Sequence, residues 1–282
     1  QVNDIFTVTV TDAHGDSSTE EITVNVTGAN DTPEITSSLN LTHPENSLIV
    51  TRIEALDVDS AGLTYSLVSG PDQDKFEVIE VIEVIENSFV LYADRPAFTS
   101  LGCTLTYQEI NDYSAAFAHY LQNETSLKPG DAIAIQMLNT LQYPIAVYGA
   151  LRAGLRIVNT NPLYTEREMI HQFNDSGVKA LLCMDIFAKS VENIKSQINL
   201  ELIITTSLAD MVPGFKRVVI NTAIKHIKKM VPKYNLPEAK KLRQILKQNL
   251  GKGFSKTHLA KADDTIVLQY TGGTTGVAKA LN

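Results

Sequence analysis

The sequence has no apolar run near the roughly 20 residues that a membrane-spanning helix requires, so no segment is expected to cross a bilayer. Cysteine is nearly absent, with 2 in 282 residues. Cys103 and Cys183 lie far apart and form no CxxC or Cys/His cluster, which leaves no zinc site and no disulfide framework to be read. Cys183 sits inside the apolar run VKALLCM, where a free cysteine packs as a small hydrophobe. Basic residues are scarce at one end: residues 1–88 hold 2 against 17 acidic, a net −15, while residues 89–282 carry +7 and the whole chain −8. That asymmetry marks two unlike pieces, and the length suits about two domains. No nucleic-acid partner is expected. The chain starts at Gln1 with no signal sequence, so it reads as a fragment whose start says nothing of location.

The first piece reads as β structure. IFTVTVTD (5–12) and TEEITVNVT (19–27) alternate apolar and polar residues around the turn-forming AHGDSS, the pattern of a hairpin. SLIVTRIEA (47–55) and GLTYSLVS (62–69) repeat the alternation. Short strands at this spacing suggest a sandwich of antiparallel sheets. GANDTPEI, PENS and ALDVDSAG bring short carboxylates and an amide to three loops; calcium takes oxygen ligands of this kind, and solvated acidic turns account for them equally.

From about Val90 the pattern changes. Helical spacing in 107–125, 141–154, 166–177 and 187–198 alternates with the short apolar runs 132–137, 155–162, 178–184 and 201–206. The fold class is therefore α/β, a mostly parallel sheet flanked by helices. Between the two pieces lies EVIEVIEVIE (77–86), three copies of a tripeptide. A period of three fits neither strand nor helix; its valines and isoleucines favour an extended strand, and a join between two unrelated sequences accounts for it equally. Farther on, 218–234 reads as a basic amphipathic helix, with Val219, Ala223, Ile227 and Met230 set against Lys225, Lys228 and Lys229. It suits an anionic membrane surface or a solvated face. His171, among Met169, Ile170 and Phe173, reads as a helix-surface or core residue rather than a base.

DDTIVLQY (263–270) reads as a strand, and YTGGTTGVAKALN follows it. Successive glycines let backbone N–H groups turn toward an anion, threonine hydroxyls add donors, and Lys279 adds a mobile positive charge. The loop is not GxxxxGK[ST], because Ala278 precedes the lysine, and GGTTG does not satisfy GxGxxG.

LQYTGGTTGVAK (268–279) closely resembles the signature of AMP-forming adenylating enzymes. YADRPAF, LTYQEI, LQYPIAVYGALRAG, VNTNPLYTEREMIHQFNDSG and VPKYNLP look like bacterial long-chain fatty acyl-CoA synthetases. The resemblance implies that a fatty carboxylate attacks the α-phosphate of Mg·ATP to give an acyl-adenylate and pyrophosphate, and that CoA then displaces AMP. It assigns Thr271, Gly272, Gly273, Thr274, Thr275, Gly276 and Lys279 to the ATP phosphates, with Thr271 also near magnesium. The family expects a glycine where Ala280 stands, and further catalytic parts after it, so 89–282 is expected to be a truncated AMP-binding domain, inactive alone. The β piece resembles cadherin-like repeats of bacterial surface proteins. That resemblance makes 1–35 the closing strands of one repeat and 36–80 the first half of the next, in an immunoglobulin-like sandwich fragment, with 77–88 a low-complexity junction. It implies calcium at Asn30, Asp31, Glu45, Asp57 and Asp59. The two readings conflict over location: cytoplasm or inner-membrane periphery for a ligase, cell surface for a calcium-dependent adhesin. A fusion at the EVI triplets is the expected origin of the combination.

Overall fold

The computed structural model describes residues 2–26, 32–37, 55–57, 81–256, 265–271 and 279–281. The chain divides into two compact units, Gln1–Phe76 and Glu77–Asn282.

In the first unit β1 (Val2–Thr11) and β2 (Ser17–Val26) form the expected antiparallel hairpin, in register from Val2 opposite Val26 to Thr11 opposite Ser17. The Asp12 carboxylate closes the turn by accepting the backbone N–H groups of His14 at 2.8 Å and Asp16 at 3.0 Å. Gly15 takes φ 97°, a conformation that a side chain would strain. A second pairing joins β3 (Glu34–Ile35) to β4 (Ala55–Leu56). No β-sandwich is seen among the described residues. Most of the strand expected at 47–55, and all of that at 62–69, lie outside them. So do Asn30, Asp31, Glu45 and Asp59; of the calcium residues expected, Asp57 alone is described. Among the described residues no group of three or more His, Cys, Asp or Glu side chains could hold a metal ion.

The second unit opens with a correction. From Val81 the EVI repeat is not a strand but the start of helix α1 (Val81–Leu91), and residues 77–80 lie outside the described residues. Ile82 and Phe89 are buried and Ile85 packs against the same core, a spacing that puts all three on one helical face. Glu86 comes from that helix to meet Arg152 at 2.6 Å. Burial and this ion pair outweigh the β preference of the repeat, which is a weak prior that tertiary contacts override.

A hairpin of β5 (Pro96–Ser100) and β6 (Cys103–Thr106) leads into α2 (Tyr107–Asn123), begun by a capping box of Thr106 and Glu109. Then come β7 (Ala132–Gln136), α3 (Gln142–Arg152), β8 (Arg156–Asn159) and α4 (Glu166–Asp175), the last started by a second capping box of Thr165 and Glu168. β9 (Val178–Met184), α5 (Ala188–Ile194), β10 (Leu202–Thr206) and α6 (Gly214–Thr222) follow. The unit ends with β11 (Lys240–Lys241), α7 (Leu242–Asn249), β12 (Val267–Thr271) and β13 (Lys279–Leu281).

The principal sheet has 7 strands in the order β11-β10-β9-β7-β8-β12-β13. All neighbours are parallel except β12 and β13. From β7 the chain passes through α3 to β8, then through α4 back to β9 on the other side of β7, so the winding reverses between β7 and β9. Side chains alternate between two cores. Ile133, Ile135, Ile157, Leu182 and Ile204 face one core with α1, α2, α3 and α7; Ala134, Val158, Leu181, Cys183 and Ile203 face the other with α4 and α5. Burial on both faces makes these strands read as unbroken apolar runs. Cys183 is fully buried as expected, which pushes its thiol up to about 12.

α2 and α3 approach closely at Gly149, where a Cβ would come within 2.7 Å of the Phe117 ring. Arg152, at the end of α3, is 0% exposed. Besides Glu86 it donates to the backbone and side-chain oxygens of Asn111 at 2.9 and 2.6 Å and to the Ser114 hydroxyl at 2.6 Å. Its guanidinium lies over the rings of Phe89 and Phe254 at 4.8 and 5.0 Å. A buried cation is tolerable only when its donors are met in this way.

The expected helix at 218–234 is also corrected. α6 starts earlier, at Gly214, passes into a π-helical turn that ends at Ile227, and is followed by Lys229 at φ 51°.

Candidate active site at the C-terminal edge of the sheet

In parallel sheets ligands collect beyond the carboxyl ends of the strands, where the winding reverses. In this sheet that edge is formed by Gln136, Asn159, Met184, Thr206 and Thr271, the last residues of β7, β8, β9, β10 and β12.

β12 ends at this edge, at the first residue of the glycine-threonine segment, Thr271. β12 runs beside β8, with Gln269 opposite Asn159, and pairs antiparallel with β13 through Gln269–Leu281, Tyr270–Ala280 and Thr271–Lys279. Thr271 and Lys279, the outer residues assigned to phosphate, therefore face each other across the ladder as its last registered pair. Gly272, Gly273, Thr274, Thr275 and Gly276 lie outside the described residues.

The strand before the loop is held from both sides. Tyr270 is buried and its hydroxyl donates to Asp175 Oδ2 at 2.6 Å. Burial first, then that bond and the Asp175 charge, push the phenol up to about 12. On the other side Asn159 Nδ2 donates to Gln269 Oε1 at 3.1 Å, while Asn159 Oδ1 accepts the Tyr143 hydroxyl at 2.8 Å. Gln172 Nε2 donates to the Asn159 carbonyl at 2.9 Å. A chain of polar contacts thus runs from α3 and α4 through the end of β8 to the base of the loop.

Next to it, Asp185 follows β9 and is 8% exposed. Its Oδ2 accepts the Ser207 hydroxyl at 2.6 Å, and Ser207 is met on its other side by Gln142, whose Nε2 donates to its carbonyl at 2.8 Å. Burial raises the Asp185 carboxyl above its ordinary value; the Ser207 bond opposes this, the Asp210 charge adds to it and Lys241 counters it. The buried oxygens Gln136 Oε1, Thr140 Oγ1, Gln172 Oε1 and Asp185 Oδ1 find no hydrogen-bond partner among the described residues. Gln136, Thr140 and Asp185 follow or end β7 and β9, the strands between which the winding reverses, and Gln172 reaches the end of β8. Unmet buried acceptors are costly, and their concentration at one edge marks the place where a ligand or water would be bound. A shallower pocket of about 340 Å³, lined by Lys195, Glu201, Leu202, Glu238 and Lys240 among others, lies at the opposite edge, by the start of β10.

Sequence reading pointed to the glycine-threonine segment and not to these buried acceptors. A signal was present: each of Gln136, Asn159, Asp185 and Thr206 ends or follows an apolar run, the position where a parallel strand reaches its ligand-bearing edge. His171 lies on α4 and is half-buried, in keeping with its reading as a packing residue.

The sequence pattern of the family described as AMP-binding enzyme matches residues 85–281. A long-chain-fatty-acid–CoA ligase of Salmonella typhimurium is 43% identical over 199 residues, covering 71% of this chain and 35% of the relative. One of Yersinia pestis is 42% identical over 208 residues, covering 74% and 36%. The chain therefore spans about a third of the length of the curated relatives it matches. Among solved structures, an anthranilate CoA ligase in complex with anthranoyl-AMP superposes with a TM-score of 0.57 at 14% identity, over 71% of this chain and 33% of that one. The match begins inside α1 and runs to the last described strand, taking in the whole polar edge and both flanks of the loop: this chain belongs to the AMP-binding enzyme family.

Proposed function

We propose that this protein activates long-chain fatty acids. A carboxylate oxygen attacks the α-phosphorus of Mg·ATP, pyrophosphate leaves, and an acyl-adenylate forms. The CoA sulfur then attacks the acyl carbon, AMP leaves, and a thioester remains. The observation that carries the reading is the pairing of Thr271 with Lys279, the residues that bracket three glycines and two threonines in the sequence, at the edge of the sheet where buried acceptors stand unmet.

In this reading the backbone amides of Gly272, Gly273 and Gly276 and the hydroxyls of Thr274 and Thr275 donate to the phosphates. Lys279 offsets their charge, and Thr271 stands beside the magnesium, which is bound largely through the nucleotide's own oxygens. Two anions must meet before the first step, so fixed donors and positive charge at the phosphates carry much of the acceleration. The fatty substrate class is supported by the high identity to long-chain-fatty-acid–CoA ligases.

The test is AMP and pyrophosphate release by the intact protein with ATP, CoA and palmitate, repeated with acetate and benzoate. Release that requires palmitate and yields palmitoyl-CoA is expected. Equal or greater turnover of the short or aromatic acids would overturn the substrate class, and ATP consumption with no thioester would overturn the reaction.

A further inference from the structure

Helix α4 ends on a charge of the unfavourable sign. A helix C-terminus carries partial negative charge and favours cations, yet the last residue of α4 is Asp175 and its last turn holds no basic side chain. The acids at its other end are explained by their place, Glu166 in the first turn and Glu168 in the capping box. Asp175 is exposed, so core packing does not hold it there. Its carboxylate is committed instead to one short bond, in which Oδ2 accepts the hydroxyl of the buried Tyr270 at 2.6 Å. A phenol taken out of water needs a partner, and an ionised acceptor makes the shorter and stronger bond. Burial, then this bond and the carboxylate charge, push the phenol up to about 12, so the hydroxyl stays the donor throughout the neutral range.

Tyr270 stands immediately before Thr271, where β12 ends. The residue before it, Gln269, is held from the other face of the strand: Asn159 Nδ2 donates to its Oε1, and the Tyr143 hydroxyl of α3 donates to Asn159 Oδ1. Successive strand residues point to opposite faces, so the two bonds grip β12 from both sides at the two residues before Thr271. α4 supplies one grip outright and supports the other. Gln172, three residues before Asp175 and on the same helical face, donates to the Asn159 carbonyl at 2.9 Å. The direction in which the chain leaves the sheet at Thr271 is therefore set by side chains of α3, β8 and α4 as well as by the ladder.

We infer that Asp175 is a positioning residue for phosphate binding: by accepting the Tyr270 hydroxyl it fixes the direction in which the phosphate-binding segment departs from β12. This role rests on the phosphate reading of that segment proposed above. It also runs against simple electrostatics. A carboxylate bonded to the residue beside a phosphate segment repels the ligand, so removing its charge should tighten binding unless the bond itself places the segment.

The probes are Mg·ATP and inorganic pyrophosphate, titrated into the full 282-residue chain with isotope-labelled glycine and followed at the amides of Gly272, Gly273 and Gly276. Asp175→Ala should weaken both ligands roughly tenfold, the low end of what a hydrogen bond to a charged group is worth. Asp175→Asn removes the same charge but keeps an acceptor for Tyr270, and should bind at least as tightly as wild type. Tyr270→Phe should weaken binding as Asp175→Ala does, and the double variant should be no weaker than either, because each removes the same bond. Thermal midpoints without ligand separate placement from stability. An Asp175→Ala chain with a lowered midpoint and unchanged affinity would make the bond structural only and overturn the inference, and tighter binding by that variant would overturn it as well. Equal weakening by the asparagine and alanine variants would assign the effect to charge and also defeat it. Wild-type glycine amides that ignore both ligands would instead overturn the phosphate reading itself, and this role with it.

Discussion

At the N-terminal edge of the sheet Lys179 bridges Asp131 at 2.9 Å and Glu201 at 3.7 Å, Ser126 donates to Glu201 at 2.6 Å, and Arg156 donates to the Gly130 carbonyl at 2.7 Å. At the C-terminal edge four buried oxygens go without a partner among the described residues. The strands are the same; only their ends differ. One edge pairs its polar groups, while the other leaves buried acceptors unmet among the described residues. The difference teaches where stability and function were separated: a chain optimised only for folding would have paired or removed Gln136, Thr140, Gln172 and Asp185. It also shows how a sheet this apolar throughout its middle can end in a polar edge.

The comparison can be broken or sharpened by substitution. If stability resides in the core and the closed edge, Glu86→Ala should have the largest effect, because it strands the buried Arg152 guanidinium. A loss of about 3 to 5 kcal/mol is expected, the usual result of breaking one side of a buried pair, read from urea unfolding of the second unit. A loss near zero would mean that α1 is not integral to it.

Tyr270→Phe should come next, costing about 1 to 2 kcal/mol by removing the donor to Asp175. Because the folded phenol is raised from 10.0 to about 12, the difference between wild type and variant should be full below pH 10 and fade as pH rises through the folded value. Urea midpoints between neutral and strongly alkaline pH would show it; a difference that grew with pH would contradict the assignment.

The smallest effects form a pair that contrasts the edges directly. Asp185→Asn keeps an acceptor for Ser207 and removes a desolvated charge, so the melting temperature at neutral pH should rise slightly. Since the folded carboxyl is raised, the gain should be full above that raised value and vanish as pH falls below the ordinary carboxylate range. Lys179→Ala at the other edge should lower the melting temperature slightly and leave nucleotide binding unchanged. Thermal scans across pH, with binding titrations alongside, would separate the two.

How much of this could be read from residues alone follows from the same physics. β7, β8, β9 and β10 and the helices between them were legible because burial on both faces writes short apolar runs and helical stripes into the sequence. The strand that leads into the glycine-threonine segment was legible too, β12 in the apolar run before it. α1 was not, since Val and Ile report local preference, and the fate of the repeat was decided by Arg152, 66 residues after Glu86. α6 showed its amphipathicity but not its orientation, which depends on Asn221 meeting Ala209 and Asp210. The floor of the site was only partly legible: the polar residues that end the apolar runs mark its place, but an unmet acceptor is a relation between positions, not a residue type.

The most direct test of the account is a titration of the isotope-labelled chain with Mg·ATP, followed by the backbone amide resonances of Gly272, Gly273 and Gly276. The account predicts that these three move together and saturate, that inorganic pyrophosphate moves them too, and that Lys279→Ala weakens the response roughly thirtyfold, the worth of one charge-assisted contact of about 2 kcal/mol. Glycine amides that stay still while resonances elsewhere in the sheet shift would contradict it.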